Sequence, residues 1–526
     1  MPTKRHYKRH KKKHHTRKKK HCPRYATLPT ATVYGKNKEY LFKKVISDIK
    51  SKSFPNKGHN GKKAFQMVRK YLYGDKEPDR NFITFVNTTA DPYQNKVHSD
   101  TKNINFIDIQ PYYKVKEMEQ QMVHMMADLF KDKNYKAANG ASTIGSSEAI
   151  YVSVVLHKFK WEERHKKSAG NRCNMIWSFN THINWDKAAR WNDIKEQKIP
   201  AKHLDYTFGA EGVKKRINKE TIAVICTVSS TRSATNDKVE EINNFLKEYH
   251  KRTGIFVPIH IDAAIGGFLT PFVKPNLKWS FELEHVKSIN VSFHKYGGTY
   301  AGMGMLVVKS DYSLPEKMRF YFDAEHMALK DTKTKQERLR LKAQSKGGTY
   351  PPDPHAEFPY PDPIYQTGGG KPLQISKGDP RGTLDLQLNF TKSSSQIAEA
   401  FYIFMKLGRE GYKKRIAECM KKAKVLDNYL NSLRSKSGKK VLIKVSEPYY
   451  PVIAYCLNDH TFPLKEVLQH LERVQGYSVA AYKMGNTDDI VFRLVFKHNV
   501  SMTEAKRFRD AWSATINKIY FNSDKY

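Results

Sequence analysis

Lys295 lies in the stretch Ser292-Phe293-His294-Lys295-Tyr296-Gly297-Gly298, at the end of an apolar run, and follows Asp262 of His260-Ile261-Asp262-Ala263-Ala264 by 33 residues. A lysine taken out of water lowers its cost by losing its charge, and Schiff-base formation with an aldehyde does this. A carboxylate at the buried end of a neighbouring strand needs a partner, and a pyridinium nitrogen supplies one. Upstream, Gly145-Ser146-Ser147-Glu148-Ala149 precedes a helical segment, whose free N–H groups and serine hydroxyls suit a phosphate. Aldehyde, ring nitrogen and phosphate together describe pyridoxal 5'-phosphate. His182, just after MIWSF, is placed to stack on a planar ring, and Thr231, read as the end of the strand AVICTVSS, to donate to a phenolic oxygen. Singly, these residues read as helix caps, a turn cap, a snorkelling lysine or core polar groups; their order on successive strands makes the set specific.

The elements that must position them follow from periodicity. Between residues 145 and 310 the runs MIWSF, AVICTV, IFVPIHI, SINVSF and GMLVVK alternate with helical segments. This predicts an α/β fold with a largely parallel sheet, and ligands beyond the strands' carboxyl ends. Helices are predicted within about 39–75, from about Lys114 to Lys131, and from about Ser393 to Leu433. A Lys/Arg-rich then Pro/Gly-rich stretch over 325–387 breaks the pattern and reads as an insertion or mobile loop. The expected division is a basic disordered arm (1–38), a helical and substrate-pocket region (39–110), a large cofactor domain (111–324), the insertion (325–387), the end of the large domain with a connecting helix (388–434), and a small α+β domain (435–526).

The chain has 526 residues and a formal net charge of +41. Fourteen Lys and Arg precede the first acidic residue, Glu39, which leaves 41 − 14 = +27 on the remainder. Residues 1–21 cannot bury enough apolar surface to fold alone; polyanion or nucleic-acid contact is one reading of them, a solubilising extension the other. Five scattered cysteines, without a CxxC pair, suggest neither a disulfide framework nor a metal site. No run approaches the roughly 18 apolar residues of a membrane span, and no secretory signal is evident. An intracellular, cytoplasmic location without membrane contact is expected, with nuclear or virion association suggested by the arm.

The segments STIGSSEA, THINWDKAARW, HIDAAIGGFLTPFV, VKSINVS to HKYGG, LNFTKSSSQ and LGREGYKK resemble the pyridoxal-phosphate-dependent group II decarboxylases, closest in pattern to glutamate decarboxylases. The resemblance spans about 80–320 and 385–515. It implies a fold type I enzyme with a mostly parallel seven-stranded central sheet, usually dimeric, that decarboxylates an amino acid, with L-glutamate to 4-aminobutanoate foremost. It assigns Lys295 to the Schiff base, Asp262 to the ring nitrogen, and Ser146, Ser147, Ser292 and His294 to the phosphate. His182 takes the stacking position, Thr231 the phenolic oxygen, Ala264 a cofactor contact, and Thr391 a phosphate contact from a neighbouring subunit. Thr84, Phe85, Asn105 and Asp108 match the pocket for a distal carboxylate, and Arg493 the site of the substrate α-carboxylate.

The chain departs from that pattern twice. The 325–387 stretch replaces a short catalytic loop, although Tyr365 and the glycines after it could restore the loop's character. Arg232-Ser233-Ala234 stands where relatives usually carry Tyr-Thr-Gly. The alternatives are another lyase reaction on the same cofactor and a virion- or nucleic-acid-associated protein on a decarboxylase scaffold.

Overall fold

The computed structural model describes residues 58–72, 80–87, 89–166, 168, 173–322 and 383–521. The basic arm, Tyr365 and the rest of 323–382 lie outside them. The chain divides into two units, Met1–Lys76 and Glu77–Tyr526. In the first, helix α1 (Gly61–Tyr71) falls within the predicted helical region. All that follows concerns the second.

Seven strands form the central sheet: β1 (Asn139–Thr143), β2 (Asn174–Ser178), β3 (Lys195–Ile199), β4 (Thr221–Thr227), β5 (Ile259–Asp262), β6 (Val286–Ser292) and β7 (Gly304–Val308), in the order β1-β7-β6-β5-β4-β2-β3. The pairs from β3 through β2, β4 and β5 to β6 are parallel, whereas β7 runs antiparallel to both β1 and β6. This is the expected α/β architecture. Every residue of β4, β5 and β6 is buried, as a parallel sheet covered on both faces requires. On β6, however, Ser288, Asn290 and Ser292 alternate with Ile289 and Val291, so one face is polar and the other belongs to the main core.

Helices α2 (Pro92–Thr101), α3 (Ile109–Leu129), α4 (Gly145–His165), α5 (Asn184–Trp191) and α6 (Val239–Thr253) precede the long α7 (Ser395–Ser432). Helix α3 opens with a short turn that contains Pro111, kinks at Tyr112 (φ −126°, ψ 32°) and is regular from there on, beside the expected start at Lys114. Gly408, at φ 53° and ψ −170°, breaks α7 into two helical runs. Strands β8 (Phe320–Phe322) and β9 (Thr383–Asp385) pair antiparallel, so the two ends of the interrupting stretch lie side by side.

The C-terminal region has an antiparallel sheet of β10 (Leu442–Lys444), β11 (Val452–Leu457), β12 (Ala480–Lys483) and β13 (Ile490–Val495), in the order β10-β11-β13-β12. With α8 (Leu464–Arg473) and α9 (Met502–Ile516) it shares a core that includes Tyr455, Val467, Phe492 and Trp512. Among the described residues, no helix is long and apolar enough to cross a membrane.

Candidate active site

The carboxyl ends of β4, β5 and β6 open onto a cavity of about 220 Å3. Gly145, Ser146, Ser147, His182, Thr231, Asp262, Ala264, Ser292, His294 and Lys295 all line it. The residues come together because the parallel strands place Asp262 and Ser292 at their ends, while the amino end of α4 points into the same space.

At one end of the cavity is an anion cradle. Ser146 and Ser292 share a hydrogen bond between their hydroxyls at 2.8 Å, and no side chain caps the start of α4. Its first N–H groups and dipole therefore favour a negative charge. Gly145 has φ +70°, and a Cβ there would lie 2.8 Å from Cε1 of His294. Gly145→Ala is therefore expected to cost about 1–2 kcal/mol of stability from the left-handed backbone alone. It should also weaken cofactor binding roughly tenfold through displacement of His294 and the first turn; thermal melting and a cofactor titration would show both.

At the other end Asp262, 3 % exposed, accepts from Trp185 Nε1 at 2.9 Å, Asn290 Nδ2 at 3.0 Å and the Ala264 amide at 3.2 Å. Lys295 sits in the π-helical turn Phe293–Gly297 that follows β6. It is half-buried and lines the cavity, and Nζ lies 5.3 Å from the centre of the Phe85 ring. Burial pushes its ammonium down to about 8, an effect that Arg493 adds to and Asp262 opposes. Half of a lysine with that value is neutral at pH 8. Between about 8 and the ordinary 10.5, the unfolded chain binds more protons at this residue than the native cofactor-free protein does. Lys295 should thus make the fold more stable as pH rises through that window. Urea midpoints of cofactor-free wild type and Lys295→Met should converge or cross in favour of wild type from pH 8 to 10; a constant difference would contradict the shift.

Burial also lowers His182, opposed by Asp262, and lowers His294 to about 4, with Lys295 adding to the effect. Both rings are neutral near pH 7. His182 keeps much of its surface open to solvent, although the surrounding protein is dense enough to disfavour its charge, and its Nδ1 accepts from the Asn184 amide at 3.2 Å.

Thr231 lies in a turn, not at a strand end as expected. Strand β4 stops at Thr227, where Asp237 accepts from the Thr227 amide, and Ser229 at φ +61° turns the chain. Arg232 and Ser233 fasten this turn: Arg232 Nη1 donates to Phe179 O at 2.6 Å, and Asn180 Nδ2 donates to Ser233 Oγ at 2.8 Å. Ala234 holds φ +53° where a glycine would be unstrained.

Arg493 on β13 is 2 % exposed. Its Nη2 donates to Ile83 O at 2.6 Å and to the Tyr482 hydroxyl at 3.2 Å, while Nε and Nη1 are buried without a partner. Its guanidinium lies 4.2 Å from the centre of the Phe85 ring, so Phe85 is shared by Arg493 and Lys295. Thr84, beside it, caps the Val86 amide. Thr84, Phe85, Asn105, Asp108, Thr391 and Arg493 do not themselves line the cavity; Phe85 and Arg493 adjoin it through Lys295, and Asn105 and Asp108 lie on a separate loop. A bridge between Asn105 and Ser393 and a bond from Phe106 N to Lys392 O pin their loop beside Thr391, which is exposed.

Thr227, Ser229, Trp185 and Asn290 were not singled out from sequence. Thr227 and Ser229 line the cavity with hydroxyls that are buried and unpaired, as is Nδ1 of His294. Buried polar atoms without partners call for a ligand or ordered water to satisfy them. Signals existed: Trp185 is three residues beyond His182, and Asn290 repeats the polar alternation of β6.

An amine held near pKa 8, a buried carboxylate with three fixed donors, and a helix amino end with paired serines fit pyridoxal 5'-phosphate, and with this sheet they define a fold type I enzyme of that cofactor. Residues 60–341 match the family described as pyridoxal-dependent decarboxylase conserved domain. A glutamate decarboxylase of Petunia hybrida is 30% identical over 455 residues, 84% of this chain and 78% of its own. One of Aliivibrio fischeri is 28% identical, covering 86% of each. The structure of a Lactobacillus brevis glutamate decarboxylase superposes with a TM-score of 0.72 at 25% identity, over 89% of this chain and 95% of that one. The chain belongs to the pyridoxal-dependent decarboxylase family. It is accordingly a carboxy-lyase that uses pyridoxal 5'-phosphate on an amino acid.

Proposed function

We propose that this enzyme converts L-glutamate to 4-aminobutanoate and carbon dioxide. The observation that carries the site assignment is Arg493, which has two buried unpaired nitrogens and shares the Phe85 ring with Lys295. A fixed cation beside the reactive amine suits the α-carboxylate that must be aligned and lost. The choice of glutamate is supported by the plant and bacterial relatives that bear that name.

When bound, the cofactor supplies a conjugated cationic ring that takes up the electron pair of the breaking Cα–carboxylate bond. Lys295 provides the amine that anchors it, reactive near neutral pH because burial lowers its pKa. Asp262 keeps the proton on the ring nitrogen, held in place by Trp185 and Asn290. Ser146, Ser147, Ser292 and His294 would take the phosphate with the amino end of α4, Ala264 would line the ring pocket, His182 would stack on the ring, and Thr231 would donate to its phenolic oxygen. Thr84 and Phe85 begin the pocket for the distal carboxylate.

We further propose a homodimer in which Asn105, Asp108 and Thr391 enter the neighbouring subunit's site. Support comes from Asp108 and Thr391, both exposed, from half-buried Asn105 on the same loop as Asp108, and from the exposed apolar residues Leu388, Phe390 and Ile144. Residues 111–324 and 388–434 would then form the cofactor domain and 435–526 the domain that carries Arg493. A cytoplasmic site of action is supported by the four free cysteines among the described residues, and polyanion contact by residues 1–21 by their charge alone.

The test is to load the protein with pyridoxal 5'-phosphate, reduce with borohydride and map peptides. Cofactor fixed to Lys295 is the expected result; a loaded protein labelled elsewhere, or no loading, overturns the reading.

A further inference from the structure

Asp262 is the end of a buried polar chain that the reaction itself does not use. Asn290 Nδ2 donates to Asp262 Oδ1 at 3.0 Å, and Asn290 Oδ1 meets His260 Nε2 at 2.7 Å. His260 Nδ1 lies 2.7 Å from Ser288 Oγ, which lies 2.8 Å from His157 Nε2. His157 Nδ1 ends the series at the Tyr312 hydroxyl, 3.3 Å away. The five residues come from α4, β5, β6 and the turn after β7, and all are buried; the two histidines, Ser288 and Asn290 have no exposed surface. Register explains the meeting, since His260 pairs with Ser288 and Asp262 with Asn290 across β5 and β6.

The direction of every bond follows from one end. An ionised carboxylate only accepts, so the Asn290 amide nitrogen must face it and the amide oxygen must face His260. His260 then carries its proton on Nε2 and accepts at Nδ1, which commits the single Ser288 proton to His260. Ser288 in turn accepts from His157 Nε2–H, and His157 Nδ1 accepts from the Tyr312 hydroxyl. Burial keeps both rings neutral, His260 lowered to about 4 and His157 well below its ordinary value, so neither breaks the order by carrying two protons. Burial holds the Tyr312 phenol protonated.

We propose that Tyr312, His157, Ser288, His260 and Asn290 form a one-way hydrogen-bond chain that positions Asp262 for the cofactor's ring nitrogen. They are positioning residues, and their role rests on the reading of Asp262 given above. Each link has one arrangement that satisfies all its donors and acceptors, so the carboxylate is oriented before the cofactor arrives.

Two measurements test this in the full-length protein. In cofactor-free wild type labelled with 15N-histidine, the ring nitrogens of His157 and His260, assigned with His157→Gln and His260→Gln, should both report protonation on Nε2 alone. A proton on Nδ1 of either ring overturns the chain. In titrations of cofactor-stripped protein with pyridoxal 5'-phosphate, Ser288→Ala and His157→Leu should each weaken binding roughly tenfold, the size of losing an outer hydrogen-bond partner. His157→Gln, which can still donate to Ser288, should recover most of that loss. Unchanged affinity in Ser288→Ala and His157→Leu, or no recovery in His157→Gln, overturns the proposal. Wild type that binds no cofactor overturns the assignment of Asp262 instead, and the tautomers still decide the chain.

Discussion

Lys295→Ala is expected to abolish decarboxylation, lowering the rate on the order of a thousandfold or more, the scale seen when a covalent catalytic group is removed. The cavity offers no substitute amine, since the other lining residues are Ser, Thr, His, Asp and small or apolar groups. Lys295→Arg should do no better, because a guanidinium does not give up its proton and cannot bond covalently to the aldehyde. Lys295→Ala should keep a native melting transition, because it removes an amine whose burial already disfavours its charge, whereas Lys295→Arg should melt lower, because its buried charge cannot be lost. Carbon dioxide release at saturating cofactor is the readout, and activity within tenfold of wild type would contradict the assignment.

The second large effect belongs to Arg493. A guanidinium on a residue 2 % exposed, with two nitrogens unpaired, is a cost to the fold that a bound anion would offset. Arg493→Met keeps much of the volume and removes that cost, so the melting temperature should hold or rise. Substrate use should collapse, with kcat/KM down roughly a hundredfold to a thousandfold, the range for losing one partner of a buried charged pair. Arg493→Lys keeps the charge without the fork and should fall between. Stability lost together with activity would mean that Arg493 serves packing rather than the substrate.

Much of this site was legible in the sequence because a parallel sheet delivers its strand ends to one place. Asp262 after PIHI and Lys295 after SINVSF needed only that rule to be brought together. Thr231 was placed less well: continuous apolarity cannot show that Ser229 adopts a left-handed turn and ends the strand at Thr227. Helix α3 was read from about Lys114, where its regular part resumes after the kink at Tyr112; the short turn before it, which holds Pro111, was not foreseen. The supports of Asp262 were missed for a different reason. Trp185 and Asn290 act through a partner 77 or 28 residues away, and only the alternation of Ser288, Asn290 and Ser292 on a buried strand hinted at a polar face. Asn105 and Asp108 were assigned to one pocket with Thr84 and Phe85, but neither lines the cavity, and local sequence carries no mark of how far a loop stands from a site.

The most direct test is to supply the cofactor-loaded enzyme with L-glutamate labelled at C1 and to follow labelled carbon dioxide together with 4-aminobutanoate. Equal amounts of the two, formed faster than from any other common amino acid and lost in Lys295→Ala, are predicted. A loaded enzyme that releases no label from glutamate, or releases carbon dioxide faster from another amino acid, would contradict the account.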